Sequence, residues 1–216
     1  MRVFFPFSLD LVHKAHDNTT NVIASGDLRN VAATIAQLPT SYSQSISITM
    51  NDRDLDIVAR NTIMLLIAMV VDDVDEAVDC MIHVWYSALI RKSDLEIIQQ
   101  QIRPLIEGTC GKIKGKEPDT LLGKTWTFGQ RSLRLVLEKS SWDRLLSYMD
   151  VPEGLTAERA RQIRRAVTLA ESRKDYRDRN LLFQSPSRRI AKNQYRGDGL
   201  LLPFGSQRHD FREPNP

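Results

Sequence analysis

The stretch from Asn21 to Asn61, NVIASGDLRNVAATIAQLPTSYSQSISITMNDRDLDIVARN, constrains the fold most. Asn21–Ser25 is a short apolar run that ends in Ser25-Gly26-Asp27. Leu28, Val31, Ala32, Ile35 and Leu38 then recur at helical spacing as far as Pro39, with Asp27 placed to cap the helix. Over Ser45–Met50, Ile46, Ile48 and Met50 alternate with Ser47 and Thr49, the period of a half-buried strand. Asn51 and Asp52 end it, and a second helical pattern follows with Asp52 or Asp54 as its cap. The order strand, turn, helix, strand, turn, helix predicts the opening of a parallel, nucleotide-binding type of α/β sheet. Such a sheet places its crevice at the carboxyl ends of the strands, here Ser25–Asn30 and Asn51–Asp54.

After this opening the helical signal dominates. Ile63–Val71 is nine apolar residues, too few for a membrane span of about 20, and reads as a buried helix. Asp72-Asp73-Val74-Asp75-Glu76 suits a helical first turn, where carboxylates are stabilising. The helix it starts, Ala77–Ile90, would bury Val78, Met81, Ile82, Trp85 and Leu89. Asp94–Ile106 predicts another helix. Glu107–Gly123, with glycines at 108, 111, 115 and 123, reads as a loop. Thr125–Tyr148 carries Trp126, Phe128, Leu133, Leu137, Trp142 and Leu145 as anchors of a further helix, and Thr156 caps a charged one over Thr156–Arg177. From Asn180 onward, Pro, Gly, Ser and Arg predict irregular chain, with Leu200–Phe204 as an apolar clip.

Charge divides the chain unevenly. Residues 1–150 hold 16 Lys and Arg against 19 Asp and Glu, whereas residues 151–216 hold 14 against 8. Glu171, Asp175 and Asp178 interrupt the arginines of the last third, so it reads as a solvated surface and not as a nucleic-acid stripe. Two cysteines, Cys80 and Cys110, make no disulfide framework and suit reduced thiols in a cytoplasmic or nuclear protein. The opening MRVFFPFSL is interrupted by Pro6 and lacks a cleavage site, so it does not read as a signal peptide. The expected organisation is residues 1–150 as a Rossmann-like α/β core with a helical extension, and residues 151–216 as a basic helix and irregular tail packed on that core.

Two turns could hold a ligand. At Ser25-Gly26-Asp27 a glycine permits close approach, and the following helix offers free N–H groups to an anion. At Asn51 and Asp52, a carboxylate after the second strand could accept hydrogen bonds from a ribose. Ser25, Gly26, Asp27, Asn51 and Asp52 are therefore the candidate cofactor-binding residues, and S-adenosylmethionine, bound weakly, is the cofactor the pattern admits. The plainer reading of each turn, and the one the local pattern favours, is a helix cap. Cys80 and His83 share a helix face and read as a buried thiol beside a satisfied histidine; no second ligand pair accompanies them, so no metal is expected. No nucleophile elbow, P-loop or zinc-protease motif occurs, and no catalytic residue is assigned.

Gly26-Asp27-Leu28-Arg29-Asn30-Val31, Leu38-Pro39 and Ile48–Asn61, together with Arg173–Asp178 and Tyr195–Gly205, resemble an uncharacterised fungal domain of unknown function. That domain often precedes a MYND zinc finger and is similar to the N-terminal region of an axonemal dynein assembly factor. The resemblance covers most of residues 4–216. It implies a Rossmann-like, methyltransferase-like opening. The family's Gly-x-Gly-Asp turn is Ser25-Gly26-Asp27 preceded by Ala24 here, with one glycine, and the cysteines of a MYND finger are missing. The chain ends where members of the family continue, so it reads as a short member. The expectation is a non-catalytic protein-interaction or assembly module, cytoplasmic, with a protein partner and no membrane. The alternative is an S-adenosylmethionine-binding, methyltransferase-like enzyme.

Overall fold

The computed structural model describes residues 8–13, 20–24, 28–43 and 45–216. The elements in order are β1 (Ser8–His13), β2 (Thr20–Ala24), α1 (Leu28–Ala36), β3 (Ile46–Asn51), α2 (Leu55–Val70), α3 (Val74–Tyr86), β4 (Leu89–Arg91) and α4 (Lys92–Glu96). A π-helical stretch, Ile97–Ile102, leads into α5 (Arg103–Ile113), β5 (Leu121–Phe128), β6 (Arg131–Glu138), α6 (Lys139–Ser147) and α7 (Ala157–Thr168). A 3-10 turn, Glu171–Arg173, precedes α8 (Lys174–Leu182), α9 (Pro186–Asp198) and β7 (Phe211–Pro214). They form two compact units, residues 1–72 with 100–149, and residues 73–99 with 150–216.

The first unit is built on a five-stranded sheet of order β2-β3-β1-β6-β5. β2 and β3 are parallel neighbours, with α1 between them in the chain. The other pairings, β1 with β3, β1 with β6 and β5 with β6, are antiparallel. The alternation of β3 buries Ile48 and Met50. On β6, Leu133, Leu135 and Leu137 are fully buried while Arg131 and Arg134 are exposed. α2 packs against β6 and buries Met64, Leu66 and Ile67 completely, each stabilising by roughly 1.5–3 kcal/mol.

Two sequence expectations fail in this unit. Thr125–Tyr148 is a hairpin followed by a helix. The period of two in Leu133, Leu135 and Leu137 overrides the wider spacing of the aromatic anchors, and Gly129, at φ 59°, turns the chain between β5 and β6. Glu107–Gly123 is not a loop throughout, because α5 continues to Ile113. Gly108 and Gly111 sit within that helix, which holds through its buried Ile106 and Ile113.

The second unit has a two-stranded antiparallel sheet of β4 and β7. Leu89, Ala160, Leu200 and Phe211 form its apolar centre. Asp73 caps α3 by accepting a 2.8 Å hydrogen bond from the Glu76 amide, as the acidic start predicts. The face of α3 is rotated from the expected one. Ala77, Cys80 and His83 are buried, while Val78 and Ile82 are exposed. His83 packs edge-on against Phe211 at 4.6 Å and shares a 3.1 Å hydrogen bond with Ser87, so short side chains face the sheet. At the far end, the Asn215 side chain donates to the carbonyls of His83, Val84 and Ser87, and the His83 carbonyl also accepts from the Ser87 amide at 2.9 Å.

A buried carboxylate joins β4 to α4. Asp94 is fully buried, and the Arg91 guanidinium and backbone amide both donate to it, at 2.8–3.2 Å. Charge-assisted, forked bonds of this kind offset the cost of dehydrating the carboxylate. Within the region after Asn180, expected to be irregular, Pro186–Asp198 is the helix α9, while residues 199–210 are irregular as expected. Pro186 begins α9 where its missing amide costs nothing, and Gly199 ends it at φ 77°. The apolar clip is partial, since Leu200 is buried but Leu201 and Phe204 are exposed.

Two outcomes test this packing. A Cβ on Gly199 would lie 2.8 Å from that of Ala88, on a backbone that already has positive φ. Gly199→Ala should therefore cost about 2–4 kcal/mol in urea denaturation; an unchanged midpoint would show that this junction yields freely. Burial lowers the His83 pKa below 6.5. The unfolded chain then takes the proton first, and stability should fall as pH drops through about 6.5. Thermal melts should show that slope flattened in His83→Gln.

Candidate functional site

The carboxyl end of β3 carries a run of short turns made by aspartates. Asp52 accepts a 2.9 Å hydrogen bond from the amide of Asp54, and Asp54 accepts one of 2.9 Å from the amide of Asp56. The first bond bends the chain out of β3. The second caps α2, with Asp54 in extended conformation at φ −94° and ψ 116°. Arg53 and Asp56 are left exposed, whereas Leu55 between them is buried.

Opposite this corner stands α6. Its Trp142 is fully buried, anchored by a 3.2 Å bond from Nε1 to the Leu122 carbonyl and by edge-on contact with Trp126 at 6.0 Å. That anchorage directs Arg144 and Tyr148 to Asp56. Arg144 donates to Asp56 Oδ1 at 3.2 Å and to the Tyr148 hydroxyl at 2.6 Å, and the Tyr148 hydroxyl also donates to Asp56. Arg53, Asp54, Leu55, Asp56, Ser141 and Arg144 line an open cleft of about 540 Å³.

The chemistry available in this cleft is limited by what its groups do for each other. Two carboxylates face two guanidiniums. One Asp54 oxygen is committed to the helix cap, and one Asp56 oxygen takes both Arg144 and Tyr148. Tyr148 is pushed above its usual pKa by burial and by the Asp56 hydrogen bond, so its phenol stays protonated at neutral pH and can donate but not act as a base. Neither thiol is primed as a nucleophile. Cys80 is raised to about 12 by burial, with the Asp94 charge adding to it, and burial also raises Cys110. Among the described residues, no group of three or more His, Cys, Asp or Glu side chains is placed to hold a metal ion.

Of the sequence-predicted residues, Asn51 and Asp52 lie half-buried at the end of β3, next to the cleft-lining Arg53. Asp52 spends one oxygen on the turn. Ser25, Gly26 and Asp27 lie outside the described residues. Sequence reasoning placed the crevice at Asn51–Asp54 but missed Ser141, Arg144 and Tyr148. Only the four-residue spacing of Arg144 and Tyr148 hinted at a pair, and nothing in the sequence pointed it toward Asp56.

Residues 8–90 match a family model described as a domain of unknown function (DUF4470). No curated protein matches the chain, and no solved structure does. The chain thus carries an uncharacterised domain of unknown function, running from β1 to β4. Among the described residues, no helix is long and apolar enough to cross a membrane.

Asp54 supplies the cap on which the corner turns. Asp54→Ala should cost about 1 kcal/mol of stability, read as a shift of the chemical denaturation midpoint. No shift would mean that the turn at Asp52 alone sets the start of α2.

Proposed function

We propose that the protein is a non-catalytic protein-interaction or assembly module with a Rossmann-like opening at β2, α1 and β3. The observation that carries this reading is the amount of apolar side chain left in solvent in the second unit. Phe183 is 94% exposed, Val74 72%, Tyr176 70% and Leu182 67%. Three of them, Tyr176, Leu182 and Phe183, lie in one short stretch at α8 and its end, and exposed apolar groups of this kind mark interaction sites. The cleft at β3 supports the same reading from the other side, because its acids and bases neutralise one another and no strong base or nucleophile faces it.

The finer kinship, with a fungal domain that precedes a MYND finger and with the N-terminal region of a dynein assembly factor, would suit an assembly role. Two free cysteines, one of them buried, suit a cytoplasmic protein. The half-buried Asp52 at the β3 end is the feature that speaks for the alternative, an S-adenosylmethionine-binding, methyltransferase-like enzyme. Its carboxylate already serves the turn, which leaves less of it for a ribose.

Calorimetric titration with S-adenosylmethionine separates the two. The module reading expects no binding tighter than roughly 100 µM, about −5.5 kcal/mol. A low-micromolar constant that vanishes in Asp52→Ala would make the enzyme the better description.

A further inference from the structure

Two open surfaces of the second unit have opposite charge and matching character. The first is on α3. Val74, Val78 and Ile82, spaced four apart, form an apolar stripe that is 72%, 46% and 37% exposed. Exposed carboxylates flank it, among them Asp75 and Glu76, while Asp73 caps the helix and Asp79 pairs with Arg91 at 3.5 Å. This is an amphipathic helix whose second apolar face has no cover.

The second surface lies where α8 meets α9. Tyr176 lies on α8 and Phe183 just past its end, and both are exposed. On α9, Lys192 donates to the Asn180 side chain at 2.6 Å and Arg196 to the Arg177 carbonyl at 3.4 Å, so that face of α9 meets α8. Arg188 lies four residues before Lys192 and Arg189 seven before Arg196, on the same face of α9, and both are exposed. Among the described residues, neither of these exposed guanidiniums pairs with a carboxylate, and nor does Arg173. By contrast, the nearby Lys174 and Arg179 are already matched to Glu171 and Asp175.

We infer that the α8–α9 surface receives α3 of a second copy of this chain. This rests on the interaction-module reading and names its partner. The aromatic pair would take the Val74, Val78 and Ile82 stripe, and the unmatched arginines would take its flanking carboxylates, for which a guanidinium has the right planar fork. Two other occupants fit less well. A nucleic acid or an anionic bilayer wants a one-sided basic stripe, and Glu171, Asp175 and Asp178 on α8 would repel it. A helix that is both acidic and apolar satisfies both features, and the chain itself carries one. Because both surfaces belong to one unit, two copies can exchange them reciprocally and close as a two-fold dimer.

Sedimentation analysis of the full chain tests this. Self-association is expected at about 100 µM protein, weakening as ionic strength approaches about 1 M, where screening reaches about 3 Å. Phe183→Ala and Val78→Ser should each weaken it about tenfold, with unchanged thermal melts because both side chains are exposed. The decisive pair is Arg188→Glu with Arg189→Glu in one variant and Asp75→Lys with Glu76→Lys in another. Each should be monomeric alone, and an equal mixture should associate again. A wild-type chain that stays monomeric throughout this range overturns the inference, as does a dimer indifferent to Phe183→Ala, or two charge variants that fail to restore association when mixed. Binding of an anionic vesicle or an oligonucleotide through Arg188 and Arg189, without self-association, overturns it in favour of those occupants. None of these results bears on S-adenosylmethionine, so failure here leaves the module reading to be judged by its own titration.

Discussion

The corner at the end of β3 depends on carboxylates that bind backbone amides two residues ahead. Asp52 and Asp54 each do so at 2.9 Å, and Asp56 continues the series by reaching Arg144 and Tyr148. An extended strand cannot pass directly into a helix without leaving amides unpaired. The aspartates supply that pairing, and their side chains then stand at the mouth of the cleft. The bonds that fold the corner therefore occupy one oxygen of each of these three carboxylates at the mouth of the cleft.

The second unit manages the same problem at the opposite end of a helix. Asn215 donates to three carbonyls around the end of α3, and the buried Asp94 is held by Arg91. Both devices bury polar groups with their partners in place, which is the condition for a small core to tolerate them. With α3 fixed on its Ala77, Cys80 and His83 face, its aliphatic side is turned outward. The exposed stripe follows from this anchoring and not from loose packing.

Local signals in the sequence were legible where a single period dominates. The alternation of Ile46, Ile48 and Met50, the acidic start of α3 and the cap at Thr156 all correspond to observed elements. Where two periods overlap, the wrong one can be read. Leu133 and Leu137 fit a helix as well as a strand, and only Leu135 between them decides for β6. On α3 the buried Cys80 and hydrogen-bonded His83 were legible, but Val78 and Ile82 were misjudged as buried because they are apolar, whereas burial followed tertiary partners such as Phe211. The strand end of the candidate site was visible, but the contributions of α6 were not. Asp56 and Tyr148 are far apart in the chain, and no local pattern encodes so distant a meeting.

The interleaving of the two units has a consequence for how the chain is made. Residues 73–99 belong with 150–216, and the segment between them, 100–149, completes the other unit. β4 therefore leaves the ribosome long before β7, its only partner strand among the described residues. Contacts between such distant segments must wait for loop closure and slow the search for the native state. The family match, which stops at residue 90, contains α3 and most of β4 but neither β7 nor Asn215. A fragment cut at residue 90 would therefore hold β4 without its partner strand and α3 without the Asn215 bonds at its end.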